Sequence, residues 1–464
     1  MPQDKKENIS LIIRTAFFLL LSVQIVIGCI WGVLNFPYLS WHADTVDLLK
    51  LSSNLHPYSD TGILYPALLI LVRALTAEGP VAFWHVMYLL QIAAAFYAWY
   101  FFAGKVLGIG SRLWKTWFSL AVITSPLILP VHMAVLEYSF CSSALCFLLT
   151  LQIRFSAEWL HGNRTGTEKA LGDISVVSLF WLMLSLLRNE FIFLGAIPVV
   201  SLLVIILMKL KAAKKMQKVF PAVLTLVFLA IILLSDSLFR DHAFLSPLDN
   251  IKRGVYYRVA WSWELDTESN WPAHATLISD DDSRYSMFHA VKNDPGLVRT
   301  DFTDYVEECL GVKETSNAFL SWGLEIFGKN KKNIVKNTLC DLAGYVFPPL
   351  QNENLLRRRG MSGFATSNYD VMKREYPGLS KVYLRMTSVV YILMFLYSIS
   401  FVFSKIRKNS QVLIPGIIMI ISEAFIYTMY GDNVWDSRKA LFVTGIWISV
   451  FACMALKAFK KEAA

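Results

Sequence analysis

A chain of 464 residues, 55% of them hydrophobic and only 17% charged, with a mean hydropathy of +0.47, lies outside the range of soluble globular domains, in which about a quarter of residues are charged. The charges are bunched between long apolar stretches, so the formal net charge of +9 reads as membrane sidedness rather than as a nucleic-acid surface. Both the evenly amphipathic soluble fold and the nucleic-acid binder are set aside on this pattern.

The first stretch, Leu11 to Leu34, carries Arg14 as its sole charge and is followed by Asn35-Phe36-Pro37. It is longer than a signal-peptide core and lacks a small-x-small cleavage site, so it reads as a retained span. Further apolar runs fall at 81–104, 116–133, 138–154, 174–187, 191–208, 219–235, 384–404, 411–430 and 440–457. Stretches near 18–20 apolar residues match a ~30 Å hydrocarbon core. Without water partners for the backbone, they must be helices.

One more run, 62–77, is short, contains Pro66 and ends near Arg73. If it crossed, the basic N-terminus (Lys5, Lys6, Arg14) and the Lys105/Arg112/Lys115 loop would fall on opposite sides. If it lies flat, those two segments share one side with Arg154/Arg164/Lys169, Lys209–Lys218, Lys405–Lys408 and Lys457–Lys461. Positive-inside bias makes that side the cytoplasm. The expected fold is therefore all-α and polytopic, with about ten transmembrane helices in a multi-pass cell-membrane protein. Residues 1–235 form an N-terminal module with outer-face loop and interfacial helices at 36–80. Residues 236–382, without a span-length apolar run, form an extracytoplasmic domain before the last three helices in 383–464.

Candidate chemistry gathers on the outer side. Asp44 and Asp47 are three residues apart, so a helix would put both carboxylates on one face, where one can take a proton from an acceptor hydroxyl. Solvated helix-face acids are the alternative. Glu137, with His132 nearby, sits in a very short turn between apolar runs, and an isolated acid at membrane depth is a functional candidate. Arg188 interrupts an apolar stretch in Leu187-Arg188-Asn189-Glu190-Phe191; its fork of donors suits phosphate, while pairing with Glu137 or Glu190 is the structural alternative. Arg438 and Lys439 supply a second outer cationic site. The aromatic-rich segment Tyr256-Tyr257-Arg258-Val259-Ala260-Trp261-Ser262-Trp263 offers sugar-stacking rings and the substrate-binding candidate Arg258, against the plainer use of those rings as core.

No nucleotide-binding loop or zinc spacing is present, and Asp280-Asp281-Asp282 reads as a solvated turn. Cys309 and Cys340 are candidates for a disulfide if their domain faces an oxidising space.

The arrangement resembles the GT-C superfamily of membrane glycosyltransferases, including protein O-mannosyltransferases and lipid A aminoarabinose transferases. The resemblance is one of pattern over residues 11–235 and 384–457. Asp44, then Asp47, matches the family's acid in the first outer loop. Gly62-Ile63-Leu64-Tyr65-Pro66 is similar to its Tyr-Pro element before span two, which brings in Tyr65. Glu137 matches the second-loop acid, Leu187-Arg188-Asn189-Glu190-Phe191 its Leu-Arg turn, and Asp436-Ser437-Arg438-Lys439 its late Asp-x-Arg-Tyr element, with Lys439 in place of Tyr. The resemblance implies transfer of a monosaccharide from a polyprenyl-phosphate donor to an extracytoplasmic glycan, lipid or protein acceptor, with inversion at the anomeric carbon. Asp44, Asp47 and Glu137 would be catalytic, Arg188, Arg438 and Lys439 would hold the donor phosphate, and Tyr65, His132 and Arg258 would bind substrate. The adjacent Asp-Glu pair of the mannosyltransferase branch is missing, which leaves metal dependence open: no cofactor is assigned, and a divalent metal stays an alternative. The competing readings are a lipid-linked glycan polymerase or ligase, and a polytopic transporter or flippase. Membrane lipid is an expected partner and nucleic acid is not.

Overall fold

The computed structural model describes residues 15, 18–30, 33, 62–76, 80–125, 128–132, 137–188, 191–212, 247–262, 301–346, 412–419, 421–422, 444–445, 447–449 and 451–452. Every regular element among them is a helix. In chain order these are α1 (Phe18–Ile30), α2 (Leu64–Leu75), α3 (Pro80–Lys105), α4 (Arg112–Ile123), α5 (Leu129–His132), α6 (Tyr138–Leu160), α7 (Thr167–Leu187), α8 (Phe191–Leu194), α9 (Ala196–Ala212), α10 (Pro247–Ser262), α11 (Asp301–Leu310) and α12 (Val312–Val346). Short helical pieces at 412–419, 444–445, 447–449 and 451–452 follow. The expected spans at 219–235 and 384–404 lie outside the described residues.

Among the described residues, four stretches are long and apolar enough to cross a membrane: Ala82–Lys105, Tyr138–Leu160, Thr167–Leu187 and Phe191–Leu210. Their outward faces fit that role. Val176, Leu179 and Met183 on α7, and Val200, Val204 and Met208 on α9, are exposed at helical spacing. Such stripes are rare on soluble monomers and ordinary against lipid chains. The helix α2 has 12 residues, about 18 Å of rise, and does not reach across a ~30 Å core.

The central element is α6, 83% of whose span-length window is buried. It packs against α3, α7 and α9. Its polar residues tie it to the C-terminal pieces: the Ser142 and Thr444 hydroxyls are 2.8 Å apart, and Gln152 Nε2 donates to the Val412 carbonyl at 3.2 Å. Where apolar burial gives little advantage over lipid, such side-chain hydrogen bonds and close packing hold helices together.

At its far end α6 turns into α7 through Gly162, at φ +79, a left-handed conformation that favours glycine. Glu158 is bonded by Arg154 and Arg164, and Asp173 accepts from Trp159 Nε1 at 2.9 Å and from Arg164. The two helices are thus clamped antiparallel, which brings the start of α6 and the end of α7 to the same end of the bundle.

The expected continuous span 116–133 is broken. The helix α4 stops at Ile123, Thr124 and Ser125 form a turn, and only the four residues of α5 follow. The sequence Thr124-Ser125-Pro126 supplies the reason, since a residue before proline is driven out of the helical region. The turn also receives α1: Gln24 Nε2 donates to the Ala121 carbonyl at 2.7 Å, and a Cβ on Gly28 would stand 2.6 Å from Thr124 Cβ. A Gly28→Leu variant should therefore lose about 1–3 kcal/mol through overpacking. A lowered thermal midpoint in detergent checks this.

Helices α10, α11 and α12 enclose a second apolar cluster built on Tyr256, Phe302, Phe319 and Trp322. The Phe302 and Phe319 rings stack at 6.0 Å, and Tyr256 stacks on Phe319 at 4.6 Å. The Tyr256-Tyr257 pair is thus core rather than a sugar platform, and burial pushes the Tyr256 phenol above its ordinary range. Arg253 locks the helices by donating to Ser316 Oγ (2.9 Å) and the Val312 carbonyl (2.8 Å) and by pairing with Glu307. Cys309 and Cys340 are both exposed and unbonded, so the disulfide considered from sequence is not formed.

Candidate functional site

Glu137 precedes the first residue of α6, and the Cys141 amide donates to its carbonyl at 2.9 Å. Arg188 ends α7 in extended conformation, φ −149 and ψ 132. This change of direction carries its side chain across the antiparallel pair. Arg188 Nη1 donates to Glu137 Oε1 at 2.5 Å and to the Tyr138 hydroxyl, and the guanidinium lies 4.4 Å from the Tyr138 ring centroid. Glu137 is 3% exposed and Arg188 2%. The Glu137 side chain, in the short turn between apolar runs, is buried and charge-paired. Dehydrating two ions costs several kcal/mol apiece, so such a pair persists only with good geometry and further hydrogen bonds, both present here.

The start of α2 closes on the same place. The Gly62 amide donates to the Leu187 carbonyl at 2.9 Å, and a Cβ on Gly62 would lie 2.1 Å from the Leu186 carbonyl oxygen. Only glycine permits that approach. One turn on, Tyr65 is fully buried, its ring tilted against Phe140 at 6.1 Å. Burial, then the Glu137 carboxylate, push the Tyr65 hydroxyl well above the usual phenol range, so at neutral pH it is a donor. It reaches Gln91 Oε1 at 3.5 Å, and Gln91 Nε2 donates to the His132 carbonyl at 2.9 Å. His132 Nδ1 is 2.7 Å from Ser139 Oγ, while its buried Nε2 has no hydrogen-bond partner among the described residues. Gln91 lies about three turns into α3, so this network is recessed from the end of that helix.

Four of the sequence candidates, Tyr65, His132, Glu137 and Arg188, thus fall into one region around the start of α6. Arg258 does not belong to the described part of that region: it is buried in α10, 1% exposed, beside the second apolar cluster. Asp44, Asp47, Arg438 and Lys439 lie outside the described residues. Gln91, Tyr138 and Ser139 complete the network without having been singled out, as does Gly62, which was named only within the element that brings in Tyr65. Gln91 carried a signal, as an amide inside an otherwise apolar span; a glycine before Ile63-Leu64 carried none.

The region holds a fixed cation, its carboxylate partner, a protonated phenol and a buried imidazole. It suits anion recognition and proton movement. Among the described residues no group of three His, Cys, Asp or Glu side chains is placed to hold a metal ion. No family model, curated protein or solved structure matches the chain. Fold and site define a helical protein with four membrane-length helices among the described residues and a buried polar centre at the joint ends of two of them.

Proposed function

We propose that the protein is a membrane glycosyltransferase of the GT-C kind, moving a monosaccharide from a polyprenyl-phosphate donor to an extracytoplasmic acceptor. The observation that carries the reading is the buried Glu137–Arg188 pair at the junction of α2, α6 and α7. A lipid-linked sugar phosphate presents its anionic head to the ends of membrane helices, and an oriented, desolvated guanidinium is a strong partner for phosphate oxygens. In the reaction the acceptor oxygen bonds to the anomeric carbon and the carbon–phosphate-oxygen bond breaks. Its electron pair leaves with the polyprenyl phosphate, and the hydroxyl proton passes to a carboxylate. Arg188 would offset charge developing on the leaving group. By the family resemblance Asp44 would be the base, Arg438 and Lys439 would add to the phosphate site, and 236–382 would stand over it on the outer face, within about ten spans.

The two roles separate by experiment. Asp44→Asn should lower the transfer rate by about 10²–10⁴-fold, the usual contribution of a general base, with donor binding unchanged. Arg188→Lys keeps the charge but loses the fork, and should weaken donor binding more than acceptor binding. Normal turnover by Asp44→Asn, or unaltered donor affinity in Arg188→Lys, would remove that residue from the mechanism. A second reading, a structural staple between α6 and α7, draws on the same ion pair being closed and buried. It predicts that Arg188→Lys affects stability alone.

A further inference from the structure

We infer that the C-terminal half of α12 docks on an anionic bilayer surface. This inference rests on the membrane assignment but not on sugar transfer. The side of α12 that packs against α10 is filled by Phe319, Trp322, Ile326 and Ile334. A second apolar stripe faces away from that cluster. Leu324 is 57% exposed, Val335 46% and Leu339 59%, and Gly328 lies exposed between them. At 100° per residue, positions 324, 328, 335, 339 and 342 fall within an arc of about 60°.

Two observations identify what covers this stripe. Leu342, on the same arc, packs against the large apolar cluster that contains the membrane-length helices. The stripe therefore runs without a break into the membrane part of the protein. Lys331, Lys332 and Lys336 are exposed around the same two turns. An apolar strip bordered by lysines is the pattern of a helix lying in a headgroup layer, its apolar face toward acyl chains and its ammonium groups among phosphates. The three lysines, and the join at Leu342 to the cluster that contains the membrane-length helices, both favour a bilayer surface over a protein partner.

The test uses the full-length protein in vesicles, with Cys29, Cys309, Cys340 and Cys453 changed to Ser and an environment-sensitive fluorophore placed at Leu339→Cys. Gly328→Cys, where a Cβ meets nothing within 4 Å, serves if the first variant fails to fold. The label is quenched in turn by nitroxide-bearing lipid and by aqueous iodide, in phosphatidylglycerol-rich and in pure phosphatidylcholine vesicles. The reference is a separate variant that keeps Cys309, exposed on α11, as its labelled cysteine, with Leu339 native and Cys29, Cys340 and Cys453 changed to Ser. Expected is a lipid-to-iodide quenching ratio several-fold above that at Cys309, higher in the anionic vesicles. Each of Lys331→Gln, Lys332→Gln and Lys336→Gln should lower the docked-to-undocked ratio there roughly 5-fold, the usual worth of one basic residue at an anionic surface. Iodide access equal to that at Cys309, shielding from both quenchers (a protein cover), or indifference to headgroup charge would each overturn the inference.

Discussion

Arg188→Ala should destabilise the protein by about 3–5 kcal/mol, the usual result of removing one partner from a buried ion pair. The loss comes chiefly from what remains. Glu137, 3% exposed, would keep a charge in a dehydrated setting with its guanidinium gone, and the Tyr138 ring would lose the cation stacked on it. Glu137→Gln should cost less, because the amide oxygen still accepts from Nη1. The double variant Glu137→Gln/Arg188→Met removes both charges and should recover a large part of the single-variant loss, since neutral replacements of buried pairs are often tolerated. A double-mutant cycle on unfolding midpoints measures this; purely additive losses would mean that the two side chains do not act on each other. If Arg188 holds the donor phosphate as proposed, transfer activity should not recover in the double variant, because that cation is still missing. A structural staple would recover both.

Gly62→Val should separate α2 from the end of α7. The nearest atoms to an added Cβ are the Leu186 carbonyl oxygen at 2.1 Å and carbonyl carbon at 2.5 Å. These are backbone atoms of a helix end and cannot rotate aside. The displacement breaks the Gly62–Leu187 hydrogen bond and draws Tyr65 away from Gln91. Overpacking alone typically costs about 1–3 kcal/mol, and the network around His132 is lost with it, so activity should fall more steeply than stability. Gly172→Ala is the matched comparison: it lies in α7 with nothing among the described residues within 4 Å of the added methyl. There alanine should stabilise by up to about 1 kcal/mol through helix propensity. A thermal midpoint of Gly62→Val equal to or above that of the unaltered protein would contradict the close approach at Gly62.

The long elements were legible because lipid imposes length and apolarity together. The runs 81–104, 138–154 and 191–208 correspond to helices at Pro80–Lys105, Tyr138–Leu160 and Phe191–Leu210. The run 174–187 corresponds to Thr167–Leu187; its start was placed too late because Glu168, Lys169 and Asp173 lower the local hydropathy. Asp173 lies inside the helix because Trp159 and Arg164 satisfy its carboxylate, a tertiary arrangement that hydropathy does not register. The break at Thr124-Ser125 was missed for a different reason. Apolarity continues across it, and the signal lay in Pro126 rather than in hydropathy. Glu137 and Arg188 stood out individually as charges among apolar residues. Their pairing depended on the α6–α7 clamp and on Arg188 leaving the helix, neither of which has a signature in spacing. Tyr256 shows the opposite case: an aromatic run suggestive of sugar binding is satisfied by Phe302 and Phe319 from distant helices.

The most direct measurement follows a radiolabelled sugar. Protein reconstituted in vesicles with a polyprenyl-phosphate monosaccharide, labelled in the sugar, and with candidate glycan, lipid and peptide acceptors should move the label from the lipid to an acceptor and leave unlabelled polyprenyl phosphate behind. A donor that stays intact with every acceptor, or that crosses the bilayer with its label attached, would contradict the assignment.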